Sequence, residues 1–211
     1  MKLFDFNTRI RIRKIIVYTI YIVLLSSFQV SFPEKISFLG QTADLMLVFV
    51  VLAGYFYGFW DGAIVGFCSG LLRDVFSPPA VVGLDGEVRV TAFIGVLTLF
   101  MAGITGASFF TRRMQRNIPF SVVSVIFVTV CYKVAGYILI YGWSSLAGLE
   151  SSLYTPLTAF IYSFLPQLLL NTLAAIPIIL LLRFLGPVPF KYAKDRDDIV
   201  EKQGENSWLG I

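Results

Sequence analysis

Long apolar runs alternate with short polar segments along this chain. Five runs are long enough to cross a bilayer as helices, and a sixth, at 62–76, is short for a span. The six predicted spans are residues 15–32, 43–59, 62–76, 90–110, 118–142 and 157–182. The pattern therefore predicts an all-α integral membrane protein.

The composition agrees with this prediction. Of the 211 residues, 57% are hydrophobic and 14% are charged, with a mean hydropathy of +0.79. A soluble domain of this length could not bury so much apolar surface, so the bilayer must be its solvent. The loops between spans are too short for a separate domain. We therefore expect one transmembrane domain at 1–185, followed by a polar cytoplasmic tail at 186–211.

Basic residues cluster in three segments, and their positions constrain the topology. The clusters are Lys2, Arg9, Arg11, Arg13 and Lys14; Arg112, Arg113 and Arg116; and Arg183, Lys191, Lys194, Arg196 and Lys202. Short cytoplasmic segments of membrane proteins are rich in Lys and Arg, so an even number of spans should separate each pair of clusters. This parity holds if 43–76 is a helical hairpin with a tight turn at Trp60-Asp61-Gly62. The prediction is six transmembrane helices with both termini in the cytoplasm.

Glycine recurs at every fourth position through this hairpin: Gly54, Gly58, Gly62, Gly66 and Gly70. Glycines spaced by four share a helix face, where the missing side chain lets another backbone approach closely. One interpretation is ordinary helix packing within the protein. The other is that the hairpin is a surface on which a partner docks.

Several kinds of chemistry are missing from the sequence. It contains no histidine, no phosphate-binding loop ending in Gly-Lys-Ser or Gly-Lys-Thr, and no cysteine pair with metal-ligand spacing. These absences argue against an enzyme and predict no cofactor and no metal. The positive-inside bias and anionic membrane lipids account for the basic charge, so no nucleic-acid partner is expected.

Four charged residues fall inside the predicted spans: Asp44, Arg73, Asp74 and Lys133. The predicted topology places all four in the outer half of the membrane, where ionisable groups are costly unless they are paired. We expect one polar cluster in which Asp74 faces Lys133. Arg73 and Asp74 point about 100° apart on a helix and should bind different partners. The alternative is that Asp44 and Arg73 reach the lipid headgroups independently.

The last predicted span contains polar residues and prolines. Gln167 and Asn171 are four residues apart and share a face, close to the break that Pro166 makes in the helical hydrogen bonds. These side chains could join helices at a kink, or they could line a substrate site. The sequence alone leaves both interpretations open.

Taken together, several elements resemble the MreD family of bacterial rod shape-determining membrane proteins. They are Asp44-Leu45-Met46-Leu47 at the start of a span, the glycine-rich hairpin, Gly66-Phe67-Cys68-Ser69-Gly70-Leu71-Leu72-Arg73-Asp74, the segment from Pro78 to Leu84, and the stretch from Pro166 through Asn171 to Arg183. The resemblance covers about residues 15–185. The chain departs from the family pattern at Gln41-Thr42-Ala43, where many members have proline, and in the extra charges of the 77–89 loop.

The resemblance implies a non-enzymatic, multi-pass protein of the bacterial cytoplasmic (inner) membrane that acts in the cell-elongation machinery. Its expected partners are MreC, the actin-like MreB filament, and the peptidoglycan synthases RodA and its transpeptidase. The family is also similar in architecture to the substrate-binding S-components of energy-coupling-factor transporters. A small-molecule-binding transport subunit is therefore the alternative function, and an intramembrane enzyme that uses carboxylates and Lys133 is a third.

Overall fold

The structure of this protein is a computed structural model. It describes residues 2–31, 37–76, 80–82, 88–90, 93–108, 118–146 and 157–187. These residues form six helices: α1 (Lys2–Ser31), α2 (Leu45–Tyr57), α3 (Phe59–Phe76), α4 (Ile94–Ser108), α5 (Ile118–Leu146) and α6 (Leu157–Leu185). Two short strands, β1 (Ala80–Val82) and β2 (Val88–Val90), pair antiparallel between α3 and α4. The described part is thus almost entirely helical, with one small β-hairpin that the sequence did not predict.

Three of the described helices contain stretches long and apolar enough to cross a membrane: Arg11–Ser31, Ile118–Leu139 and Tyr162–Leu185. The helices α2 and α4 are apolar but shorter, with 13 and 15 residues. The helix in the predicted span at 90–110 begins only at Ile94, because residues 88–90 belong to β2.

The chain divides into two compact units, Met1–Tyr21 with Ile179–Ile211, and Ile22–Ile178. In the first unit, hydrogen bonds join α1 to the C-terminal part of α6. The Arg13 guanidinium donates to the Gly186 carbonyl at 3.3 Å, and the Tyr21 hydroxyl donates to the Leu181 carbonyl at 3.2 Å. The predicted boundary between a domain at 1–185 and a tail at 186–211 stays a prediction, because residues 188–211 lie outside the described part.

The helix α2 forms the core of the second unit. Every side chain from Leu47 to Ala53 is fully buried, and α3, α4 and α5 pack around it. A helix that is apolar on all sides is stable only when it is surrounded, because no face of it suits water. Neighbouring helices therefore shield α2, which at 13 residues is about 20 Å long.

The turn between α2 and α3 lies at Gly58, not at Trp60-Asp61-Gly62 as predicted. Gly58 has φ +97°, a conformation that glycine adopts without steric cost. Its N–H donates to the Gly54 carbonyl at 2.9 Å, and its own carbonyl accepts from the Gly62 N–H at 2.9 Å. Trp60, Asp61 and Gly62 instead form the first turn of α3, where the negative charge of Asp61 complements the helix dipole.

Candidate functional site

The glycine face of α3 lies directly against the backbone of α4. A Cβ atom added at Gly62 would lie 2.6 Å from the Gly103 carbonyl oxygen, and one added at Gly66 would lie 2.5 Å from the Leu99 carbonyl oxygen. At Gly70 the Gly95 carbonyl oxygen would be 2.8 Å away. No side chain fits within these distances. Because the glycines are spaced by four and share a face of α3, the backbones of α3 and α4 can approach this closely.

The helix α4 contributes glycines of its own to this packing. Gly103 faces the Gly62 carbonyl, and a Cβ added at Gly106 would lie 2.6 Å from the Val51 carbonyl oxygen of α2. Gly54 of α2 also contacts Gly103. The helices α2, α3 and α4 thus form one closely packed group, which we call the glycine block. The sequence analysis missed the α4 glycines, although their occurrence in a predicted span was a usable signal.

This arrangement shows what the glycine ladder contacts within the chain. Gly54, Gly62, Gly66 and Gly70 pack against α4, and Gly58 forms the turn. Their faces are occupied from within the chain. The glycine positions thus pack within the chain, and docking of a partner on another face of the hairpin stays a prediction.

The Asp44 carboxylate lies at the centre of a buried polar network. Its side chain is 2% exposed, and its Oδ1 accepts from the Leu47 N–H at 3.0 Å, which caps the start of α2. Its Oδ2 accepts from Nη1 of Arg73, in the last turn of α3, at 2.6 Å. The ion pair therefore joins the start of α2 to the end of α3 and fixes the pair as an antiparallel hairpin.

The same residue connects three further helices. The Asp44 N–H donates to Oδ1 of Asn171 on α6 at 2.7 Å, and the Asn171 amide donates to the Thr129 hydroxyl on α5 at 3.3 Å. From α1, the Gln29 amide donates to Asp44 Oδ1 at 3.5 Å and accepts from the Met46 N–H at 3.2 Å. We call these residues, with Arg73, the Asp44 network. Gln29 and Thr129 were missed from sequence, since single polar residues in apolar spans do not reveal their partners.

Arg73 has a second neighbour in α5. Its guanidinium carbon lies 5.6 Å from the centre of the Tyr132 ring, a cation–π geometry. The Arg73 side chain is 27% exposed, so part of the guanidinium stays accessible.

Asp74 has a different role from the one expected. Its Oδ1 accepts from the Gly95 N–H at 2.9 Å and its Oδ2 accepts from the Val96 N–H at 3.0 Å. Both are free donors of the first turn of α4, where a carboxylate is favoured by hydrogen bonding and by the helix dipole. Arg73 and Asp74 thus bind different partners, one on α2 and one on α4.

The expected Asp74–Lys133 pair is not found. Lys133 forms no ion pair with any described residue, although it is within electrostatic range of Asp44 and Arg73. The correction has a physical cause: the unpaired N–H groups at the start of α4 satisfy both oxygens of Asp74. The four residues therefore do not form the single cluster expected. Asp44 and Arg73 form an ion pair, Asp74 caps α4, and the Lys133 ammonium lies near the ion pair without joining it.

The predicted polar face of the last span is divided in the structure. Pro166 and Pro177 both lie within α6, which continues through them. Asn171 is fully buried and belongs to the Asp44 network, whereas Gln167, although buried, makes no hydrogen bond to a described residue. Asn171 therefore joins helices, as one of the two interpretations held.

Two concave surfaces border these groups. A cavity of about 370 Å³ lies beside Arg73 and is lined by Ser26, Gln29, Val30, Thr42, Met46, Arg73 and Phe76. An apolar groove of about 490 Å³ runs between α4 and α5, with Leu97, Met101, Val128, Cys131 and Tyr132 among its lining residues. We call them the Arg73 cavity and the α4–α5 groove.

The two carboxylates of the site are held by the fold. The carboxylates of Asp44 and Asp74 already accept hydrogen bonds from within the fold. The described residues include no group of three or more His, Cys, Asp or Glu side chains that could hold a metal ion. Comparison of the chain with protein-family models, with curated proteins and with solved structures finds no match.

Proposed function

We propose that this protein is a non-enzymatic scaffold of the bacterial cell-elongation complex, similar to MreD. In this proposal it lies in the cytoplasmic membrane, binds MreC, and couples MreB filaments inside the cell to peptidoglycan synthesis by RodA and its transpeptidase outside. Its mechanism is binding alone, with no bond made or broken.

The observation that carries the proposal is the role of the residues on which the resemblance rests. Gly66 and Gly70 set the α3–α4 contact, Arg73 closes the hairpin through Asp44, and Asp74 caps α4. Each of them holds one helix to another. A helical block whose helices are held to one another in this way suits a protein that positions partners.

We further propose six transmembrane helices with both termini in the cytoplasm. Three described helices meet the length and hydropathy expected of a span. The helices α2, α3 and α4 complete the six, and their shortness is acceptable because they pack on one another and expose less backbone to lipid. The three basic clusters then all lie on the cytoplasmic side, as the positive-inside rule requires.

The proposed contact for MreC is the face of α3 opposite the glycines. Five exposed apolar side chains follow one another there at spacings of three and four, and we call them the α3 stripe: Trp60, Ile64, Phe67, Leu71 and Val75. A membrane helix that packs on this stripe would sit on the closely packed glycine block. The membrane helix of MreC is the occupant we propose.

The test is co-purification from the native membrane in mild detergent, together with cell shape after depletion. A scaffold should retain MreC, and its loss should round the cells. Retention of rod shape without any association with MreC would contradict the proposal.

The contact face can be tested with a photo-crosslinking amino acid placed at Ile64, and at Leu173 on α6 as the matched control. The two positions are 57% and 64% exposed on their helices. We expect a crosslink to MreC from position 64 and none from position 173. Equal crosslinking from both positions would rule out the α3 stripe as the specific contact.

One observation favours the alternative, a small-molecule-binding subunit of a transporter. The Arg73 cavity has room for a small ligand and is lined by a guanidinium, an amide and two hydroxyl side chains. A transport subunit should leave cell shape intact on depletion and abolish uptake of one nutrient. The depletion experiment therefore separates the two functions.

A further inference from the structure

The Arg73 cavity lies where three helix segments begin or end. Ser26, Gln29 and Val30 belong to the last turns of α1, Met46 to the first turn of α2, and Arg73 with Phe76 to the last turn of α3. In a membrane protein the ends of apolar helices lie at the level of the lipid headgroups. The cavity is therefore at headgroup depth.

The hydrogen-bonding groups of the cavity suit an anion. The ion pair with Asp44 uses Nη1 of Arg73, and no other nitrogen of this guanidinium donates to a described residue. A guanidinium has five N–H donors in a planar fork that matches phosphate oxygens. The Ser26 and Thr42 hydroxyls and the Gln29 amide add further donors to the lining.

Two cations lie within electrostatic range of the carboxylate beside the cavity. Arg73 and Lys133 both lie within electrostatic range of Asp44, so two cations share one carboxylate. Asp74 also attracts Arg73 electrostatically, but both of its oxygens accept hydrogen bonds from the N–H groups that begin α4. A buried or half-buried cation at membrane depth is stabilised by a counter-ion.

The remaining lining is apolar, and two of its side chains are exposed. Val30 and Phe76 are both exposed and form a surface that hydrocarbon can cover, whereas Met46 is buried. The volume of about 370 Å³ exceeds by roughly tenfold the ~30 Å³ that one water molecule occupies in the liquid. The cavity thus has room for a phosphate with its attached polar group.

We propose that the Arg73 cavity binds the phosphate of an anionic lipid headgroup, with the guanidinium of Arg73 as the principal donor. The lipid chains would lie along Val30 and Phe76. This inference goes beyond the scaffold function and requires only that the chain is inserted in a membrane.

The test is a titration of the full chain, purified in mild detergent, with phosphatidylglycerol, followed by native mass spectrometry. Val30→Trp fills the cavity without touching the ion pair. Val23→Trp is its matched control, because Val23 lies two turns earlier on the same face of α1, is similarly exposed (52% against 57%) and does not line the cavity. We expect V30W to weaken binding of the first lipid by about tenfold, the effect of losing a hydrogen bond to a charged group, and V23W to leave it unchanged.

A second variant and two further ligands complete the experiment. Arg73→Gln removes the guanidinium and should weaken phosphatidylglycerol binding at least as much as V30W; if R73Q does not fold, the comparison of the two tryptophan variants still decides. Phosphatidylcholine, whose headgroup is neutral overall, should bind the wild type more weakly than phosphatidylglycerol.

Each arm has an outcome that would overturn the proposal. Equal binding by V30W and V23W would show that the lipid does not bind in the cavity. Equal binding of phosphatidylcholine and phosphatidylglycerol by the wild type would show that the site does not prefer an anionic lipid. Soluble glycerol phosphate should not compete at lipid concentrations. If it competes as well as the lipid does, the ligand is a free phosphate compound and the lipid proposal is wrong.

Discussion

The two sides of α4 make contrasting contacts. Towards α3 and α2 it packs through glycines, so closely that backbone atoms of the helices touch at Gly62, Gly66 and Gly103. Towards α5 it contacts larger side chains and leaves the α4–α5 groove of about 490 Å³. The same helix is thus tightly fixed on one side and loosely packed on the other.

The difference follows from which residues face each neighbour. Close approach in lipid depends on small residues, because there is no hydrophobic force between helices and van der Waals contact must supply the attraction. On α5, Gly136 has no atom within 4 Å of the position its Cβ would take. A glycine by itself therefore does not produce close packing; it does so only opposite another backbone.

The largest expected effect comes from adding one methyl group to the tight side. Gly66→Ala places a Cβ 2.5 Å from the Leu99 carbonyl oxygen, and neither helix backbone can yield without disturbing the block. We expect a loss of about 3 kcal/mol or more, at the upper end of overpacking effects. The measurement is the melting temperature in detergent, followed by size-exclusion chromatography.

The matched control for this change is Gly136→Ala. Because nothing surrounds this position, the alanine should be neutral or should stabilise α5 by up to about 1 kcal/mol through its helix propensity. Equal melting temperatures for G66A and G136A would show that the glycine block is not as close as described.

The next largest effect is expected at the polar end of the hairpin. Asp44→Ala removes the partner of Arg73, the cap of α2 and the acceptor for Gln29, and we expect it to cost about 2–4 kcal/mol. Exchanging the two residues, Asp44→Arg with Arg73→Asp, should restore the ion pair but not the cap. Full recovery of thermal stability in the exchanged variant would mean that capping contributes nothing.

A smaller effect is expected at Asp74. Asp74→Ala leaves two N–H groups of α4 without an acceptor and should cost about 1–2 kcal/mol, whereas Asp74→Asn retains one acceptor and should cost less. Because Asp74 does not face Lys133, reversing both charges together should not rescue the single reversals. Rescue of expression by the double reversal would restore the pairing expected from sequence.

The smallest effect is expected on the loose side of α4. Ala135 lines the α4–α5 groove on α5 and is exposed. Ala135→Leu adds three carbon atoms. We nevertheless expect the free energy of unfolding to change by no more than about 0.5 kcal/mol, as for most surface substitutions, and the melting temperature in detergent to stay close to that of the wild type. A loss as large as that of G66A, which adds one carbon, would contradict the contrast between the two sides.

The polar residues illustrate how far the sequence analysis could go. Asp44, Arg73 and Asp74 stand out in the sequence because charges within apolar spans are costly, and the angle between neighbouring helical residues predicts different partners for Arg73 and Asp74. The partner predicted for Asp74 is wrong, because the backbone N–H groups that begin α4 compete with charged side chains for its oxygens. Helix ends carry partial charges that do not appear as letters in a sequence.

By itself, the sequence determined the helical class, the helices long and apolar enough to cross a membrane, the hairpin at 43–76 and the small-residue faces, since hydropathy and periodicity are local properties of the chain. Only the tertiary structure decided what those faces meet: that α4 covers the glycines, that Gly58 makes the turn, and that Asn171 and Gln29 reach Asp44. Which helix lies beside which depends on all the side chains together, and one glycine spacing fits several neighbours equally well. The close contact of two backbones had to be seen in three dimensions.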